Sequence, residues 1–291
     1  MDNNINFDFD FYKYILKKET ISCMLTEQSI SDFNRASLID WIVGLGCQFG
    51  LENSSIHLTV LLIDNFLSKK LIRLKDLELV GAACFSIACK YDANCLPKLS
   101  AIVYSMEGAG TELDLKEMEV SLLNTVDFNL TSPTANTFLC NLVDILPKDL
   151  FHNSFNFSSY YIELFLLTTS AMQFSYSLVA ASSLTLARII LEIEDPWPNE
   201  MIMITNLSLS DMYDCILFLS SLVSAASEYD PTKTVRNKYS HWKFNSVSKL
   251  RRFTEINYFL FILYFYEGFS FLTYCTNIFI FSELSIANSN Q

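Results

Sequence analysis

Two stretches of this chain, LVGAACFSIA at 79–88 and LVAASSLTLA at 178–187, are apolar all round a helix and lie 99 residues apart. A helix with no polar face has to be enclosed on every side. Gly81, Ala82, Ala83 and Ala88 are small enough to let neighbouring helices come close. The two stretches agree at Leu, Val, Ala and the final Ala, so the chain reads as an internal duplication with one enclosed helix at the centre of each copy. With 51% hydrophobic residues but only 7 Gly and 6 Pro among 291, there is material for a core and little for turns. An all-β sandwich, which needs a turn about every 8–12 residues, is excluded on that ground.

The remaining segments fall around those two centres. Residues 1–10 are polar, and Phe11, Ile15 and Lys18 open an amphipathic stretch that runs to about Leu25. Leu38, Trp41, Ile42 and Leu45 follow one helix face, 56–67 forms a second segment and 77–91 the first enclosed helix, with shorter segments at 99–106 and 115–125. Ser132-Pro133-Thr134 breaks the pattern, since proline disfavours helix just before it and suits a first turn. Helical segments then restart at 138–146, 160–171 and 178–193. The expected division is an N-terminal tail and helix at 1–30, a first repeat at 31–131, a second at 132–250 and an apolar tail at 251–291.

Several kinds of chemistry find no support. The net charge is −12, and no Lys/Arg cluster makes the basic stripe that nucleic-acid binding needs. The eight Cys (23, 47, 84, 89, 95, 140, 215, 275) form no CxxC pair, and His57, His152 and His241 are scattered, so no metal or cofactor site is expected. There is no GxSxG and no Gly-rich phosphate loop, so the chain reads as a non-enzyme. Met1-Asp2-Asn3-Asn4 is polar with no apolar run after it, which is the opening of a reduced intracellular protein. Lys90 ends an otherwise apolar helix, and Glu119 shares a helix with Met118, Leu122 and Leu123. A charge at a core position is costly unless paired, so Lys90 calls for a carboxylate.

The motifs themselves resemble the cyclin family. NRASLIDWIVGLGCQFGL (34–51) is similar to the opening helix of the cyclin box, usually MRAIL-x-DW, and SIHLTVLLIDNFLS (55–68) to its second helix. LELVGAACFSIACKYDA (77–93) resembles the third helix, and LKEMEVSLLNTVDFNLTSPTANTFL (115–139) the fifth helix with the linker to the second repeat. VRNKYSHWKFNSVSKL (235–250) looks like the closing segment of A- and B-type mitotic cyclins. The resemblance implies an all-α fold of two tandem five-helix cyclin boxes with a short N-terminal helix. It implies a regulatory subunit that forms a heterodimer with a cyclin-dependent Ser/Thr kinase and activates it in cell-cycle control, in nucleus and cytoplasm.

It further implies roles for single residues. Lys90 and Glu119 would hydrogen-bond backbone groups of the kinase just before its mobile regulatory helix, with Tyr91, Leu123, Phe128, Leu130 and Phe11 as apolar contacts. Taken alone, those apolar residues read as core, and Lys90–Glu119 reads equally as an internal salt bridge. Arg35 and Asp64 match a structural pair joining the first two box helices. The substrate-docking groove, normally Met, Ile, Leu and Trp with a Gln, is here Asn34, Ser37, Leu38, Trp41 and Glu78. Two apolar positions have become polar, at about 1.5–3 kcal/mol of lost burial each, so docking of an Arg-x-Leu partner is expected to be weak. The usual Glu-Glu after Lys-Tyr is Asp92-Ala93, and no Arg-x-x-Leu degradation signal is expected in the ten or so residues ahead of the first helix.

The tail stands outside the family pattern. YFLFILYFYEGFSFLTYCTNIFIF (258–281) carries one charge, Glu267, and follows Arg251 and Arg252. By length it reads as a membrane span, a helix on the second repeat, or translated non-coding sequence. A second functional reading is therefore a tail-anchored or transcription-associated cyclin-fold scaffold without kinase activation.

Overall fold

The computed structural model describes residues 2–19, 30–92, 96–145, 151–169 and 173–249, and among these there are twelve α-helices and no strand. They are α1 (Asp2–Lys18), α2 (Asp32–Phe49), α3 (Asn53–Lys69), α4 (Leu77–Asp92), α5 (Leu99–Ser105), α6 (Glu112–Thr125), α7 (Ala135–Ile145), α8 (Phe151–Leu166), α9 (Tyr176–Ile190), α10 (Asn199–Thr205), α11 (Leu209–Ala225) and α12 (Lys233–Tyr239). The helix starts are written locally. Ser31 and Ser175 accept from the backbone N–H three residues on, while Thr111 with Asp114 and Ser208 with Asp211 form reciprocal capping boxes. Gly50 ends α2 in the left-handed region at φ 66°, where a side chain would be strained.

Helices α2–α6 form the first repeat around α4, which packs on α2, α3 and α6; α7–α11 form the second around α9, which packs on α7, α8 and α11. The two enclosed sequences are these central helices. Every residue of α9 except Leu178 is buried, and α4 is buried continuously from Val80 to Cys89. A Cβ on Gly81 would sit 2.7 Å from Leu38 Cδ1, so a side chain there would force Leu38 to shift where α2 and α4 cross.

Long-range polar ties lock the two repeats together. The Asp40 carboxylate on α2 accepts from Thr234 N at 3.0 Å and Val235 N at 3.1 Å, capping α12 from 194 residues away. Lys238 and Tyr239 of α12 both reach Glu163 Oε1 on α8, at 2.5 and 2.7 Å, and Lys238 also donates to Asn53 at the start of α3. Helix α1 is fastened to the second repeat by Tyr12, edge-on to Phe138 at 5.8 Å, and Glu19 accepts from Ser177 N and Oγ at 2.8 and 2.7 Å.

Two expectations need correction, and a third falls on residues that are not described. Helix α1 begins at Asp2, not near Phe11. Among its described side chains those buried are Tyr12 and Ile15, while Phe11 is 41% exposed: one residue turns a helical side chain by about 100°, and the core takes the neighbouring aromatic. Lys90 is not at a core position; its side chain is 46% exposed. The apolar run 258–281 lies outside the described residues, and among the described residues no single helix is long and apolar enough to cross a membrane.

Candidate functional site

One edge of the first repeat combines charge and exposed apolar surface. On α6 the inward stripe is Leu115, Met118 and Leu122, and Glu119 falls within it, only 8% exposed. A carboxylate so placed needs a donor. Lys90, in the last turn of α4, supplies it, with Nζ at 2.6 Å from each Glu119 oxygen. The pair therefore joins α4 to α6 while presenting an ammonium group to solvent, so the internal salt bridge and an outward-facing donor coexist.

Large apolar side chains are exposed on the same two helices and at the exit of α6. Tyr91 follows Lys90 and is 53% exposed; Phe128, just beyond α6, is 64% exposed. Leu123 and Leu130 are half-buried and pack on the core beneath. Residue-level reading missed Leu113 and Val120, which are 65% and 60% exposed on the outer face of α6. Their seven-residue spacing was the available signal. Phe11 is on α1, which packs on α7 and α10 of the second repeat.

Arg35 makes a two-pronged contact with Asp64, Nε–Oδ1 at 2.8 Å and Nη2–Oδ2 at 2.7 Å, and its Nη1 donates to Leu166 O at 2.9 Å. Burial opposes the guanidinium charge, but the charge and hydrogen bonds of Asp64 outweigh it and raise the Arg35 pKa. The third contact was not foreseen: the pair ties α2 and α3 to the end of α8.

A groove lies beside α2. Trp41, Leu45, Gln48, Val103, Tyr104 and Glu107 line it, with Thr234 of α12 at one side. Of the five groove candidates only Trp41 is among its walls. Leu38 is buried against Gly81, Ser37 Oγ donates to Phe33 O within its own helix, and the Asn34 N–H is taken up by the Ser31 cap. Glu78 is half-buried on α4; burial and the charge of Glu107 raise its carboxyl pKa, so an acidic pair lies near the groove.

Several other titratable groups among the described residues are shifted by burial. Burial pushes the thiols of Cys89 and Cys215 up to about 12 and that of Cys140 to about 11. Burial, then the charge of Lys238, lowers His57 to about 3, and neither of its ring nitrogens has a partner. Among the described residues no group of three or more His, Cys, Asp or Glu is placed to hold a metal ion.

The fold is that of a two-repeat all-helical protein, with an ion pair and exposed aromatic side chains on the first repeat. The models of the cyclin N-terminal and C-terminal domains match residues 10–131 and 133–252. The chain is 32% identical over 257 residues to Cyclin-A1-4 of Oryza sativa subsp. japonica, covering 83% of this chain and 70% of that protein. It is also 32% identical to Cyclin-A3-3 of Arabidopsis thaliana over 234 residues (79% of this chain, 71% of that one), and to Cyclin-B2-1 of the same plant over 245 residues (82% and 56%). A viral cyclin from herpesvirus saimiri superposes with a TM-score of 0.66 at 25% identity, over 76% of this chain and 99% of that one. The yeast RNA polymerase II CTD kinase complex CTDK-1 gives 0.57 at 10% identity over 89% and 81%, a likeness of fold alone. The chain belongs to the cyclin family, and the relatives named here are of the A and B types.

Proposed function

We propose that this cyclin binds and activates a cyclin-dependent Ser/Thr kinase through the α4–α6 edge, as a regulatory subunit in cell-cycle control acting in nucleus and cytoplasm. What supports the assignment is the Lys90–Glu119 pair with its half-exposed ammonium, the exposed Tyr91 next to Lys90 in α4, and the exposed Phe128 just beyond α6, the helix that carries Glu119. A kinase is active when its own Lys–Glu ion pair forms, and that depends on the position of its regulatory helix. A rigid edge that binds only the inward position shifts the equilibrium by its differential affinity. Glu119 holds Lys90 in place, and the third N–H of the ammonium group is left to meet a backbone carbonyl of the kinase. Tyr91, Phe128, Leu123 and Leu130 supply apolar area around them, and Phe11 adds a contact from the α1 side. The groove at Trp41, with Glu78 and Glu107 beside it, would dock a cationic, apolar substrate segment weakly.

The full chain is to be tested against a panel of cyclin-dependent kinases, reading histone phosphorylation and affinity. Lys90→Ala/Glu119→Ala should lower affinity at least about tenfold and abolish activation. It should leave the free chain folded, since removing both partners leaves no bare buried carboxylate behind. A double mutant that activates like the wild type would remove the pair from the interface.

A further inference from the structure

Where α6 ends, Asp127 and Phe128 both take φ of 54°, two consecutive side-chain-bearing residues in the left-handed region. For a bulky aromatic that conformation persists only where surrounding contacts impose it. One contact is local: Phe128 N donates to Leu123 O at 2.9 Å, closing the turn with the ring facing solvent. The others come from the end of α3. Lys69 Nζ donates to Thr125 O at 3.1 Å and lies 3.5 Å from the Asp127 carboxylate, while Lys70 Nζ donates to Ser121 Oγ at 2.7 Å. Thr125 O belongs to the last turn of α6, where carbonyls lack intrahelical donors and a cation is favoured. Two successive lysines thus grip the last turn of α6 and the turn that aims Phe128.

With side-chain exposures of 47% and 85%, Lys69 and Asp127 form a pair of little value to stability. Its consequence is geometric. We infer that Lys69 is a positioning residue for partner binding: it pins the α6 exit so that Phe128 is presented in its binding conformation before the kinase arrives. A group fixed in advance avoids the ordering cost of association. The inference rests on the reading of the α4–α6 edge as the kinase-binding surface.

A double-mutant cycle on the full chain tests it, with affinity measured by calorimetry against the kinase of the panel that it activates. Phe128→Ala is expected to weaken binding at least about tenfold. Lys69→Met should weaken it about fivefold without moving the thermal midpoint, and Lys69→Arg, which keeps the charge and donors, should restore it. In the Phe128→Ala background Lys69→Met should have no further effect, because nothing is left to aim. An unchanged affinity in Lys69→Met overturns the inference, and so does a fivefold loss that persists without Phe128, which would make Lys69 a direct contact. Either result leaves the kinase reading intact if Phe128→Ala or Lys90→Ala still weakens binding. An unchanged affinity in Phe128→Ala overturns the inference together with the place of Phe128 in the interface.

Discussion

Two ion pairs of similar chemistry do opposite jobs in this molecule. Arg35 and Asp64 are 3% and 5% exposed, with donors turned inward to a carboxylate and a carbonyl, and nothing outside can reach them. Lys90 and Glu119 are 46% and 11% exposed, so the same kind of pair fixes an ammonium at the surface. His57 is a buried titratable group with no partner on either ring nitrogen. In the folded chain it takes its proton only near pH 3, while unfolded it does so near 6.5. The unfolded state therefore binds more protons between those values, and stability falls as pH drops through that window. His57→Leu is expected to remove up to one proton's share of that slope, about 1.4 kcal/mol per pH unit, in chemical denaturation at pH 6.5, 5.5 and 4.5. Parallel curves for wild type and variant would mean that the folded His57 titrates normally. Lys90 and Glu119 were legible in the sequence because a lone charge closing an apolar helix asks for a partner. Lys69 and Asp127 were not, because their contact exists only once the end of α3 meets the exit of α6.

At the scale of elements, the enclosed centres α4 and α9 were legible because burial on all sides leaves an unbroken run of apolar and small residues. The phase of α1 was not. Phe11 and Tyr12 are both aromatic neighbours, and only packing on α7 decides which turns inward. The outcome leaves the Tyr12 hydroxyl buried without a partner, and burial raises its pKa. A buried unsatisfied hydroxyl is a cost, so Tyr12→Phe should hold or raise the midpoint of thermal unfolding. Tyr12→Ala removes the ring against Phe138 and should cost about 3–5 kcal/mol, with faster amide exchange along α1 as the local readout. A loss on Tyr12→Phe would point to a partner for the hydroxyl. The cap of α12 by Asp40 was equally hidden, since a side chain 194 residues distant acts as N-cap only after both repeats have folded.

For the whole molecule, activation by selective binding requires an edge that does not yield, and the first repeat is held by ties that run through the second. Arg35 reaches Leu166, Asp40 caps α12, and α12 is anchored in turn by Lys238 and Tyr239 on Glu163. The Lys238 and Glu163 side chains are 5% and 0% exposed, so each charge depends on the other. Lys238→Met should cost about 3 kcal/mol, the lower end for breaking a buried pair, because Tyr239 still donates to Glu163. Exchanging both charges, Lys238→Met with Glu163→Gln, should return part of that loss by leaving no bare carboxylate inside. Helix α12 also carries Thr234 to the wall of the Trp41 groove, so its loosening should be felt there. Denaturation followed by Trp fluorescence and by circular dichroism should give one coincident transition in the wild type and separated ones in Lys238→Met. If the two probes still coincide and the loss stays below about 1 kcal/mol, the closing helix is a passenger and the rigidity of the α4–α6 edge comes from the first repeat alone.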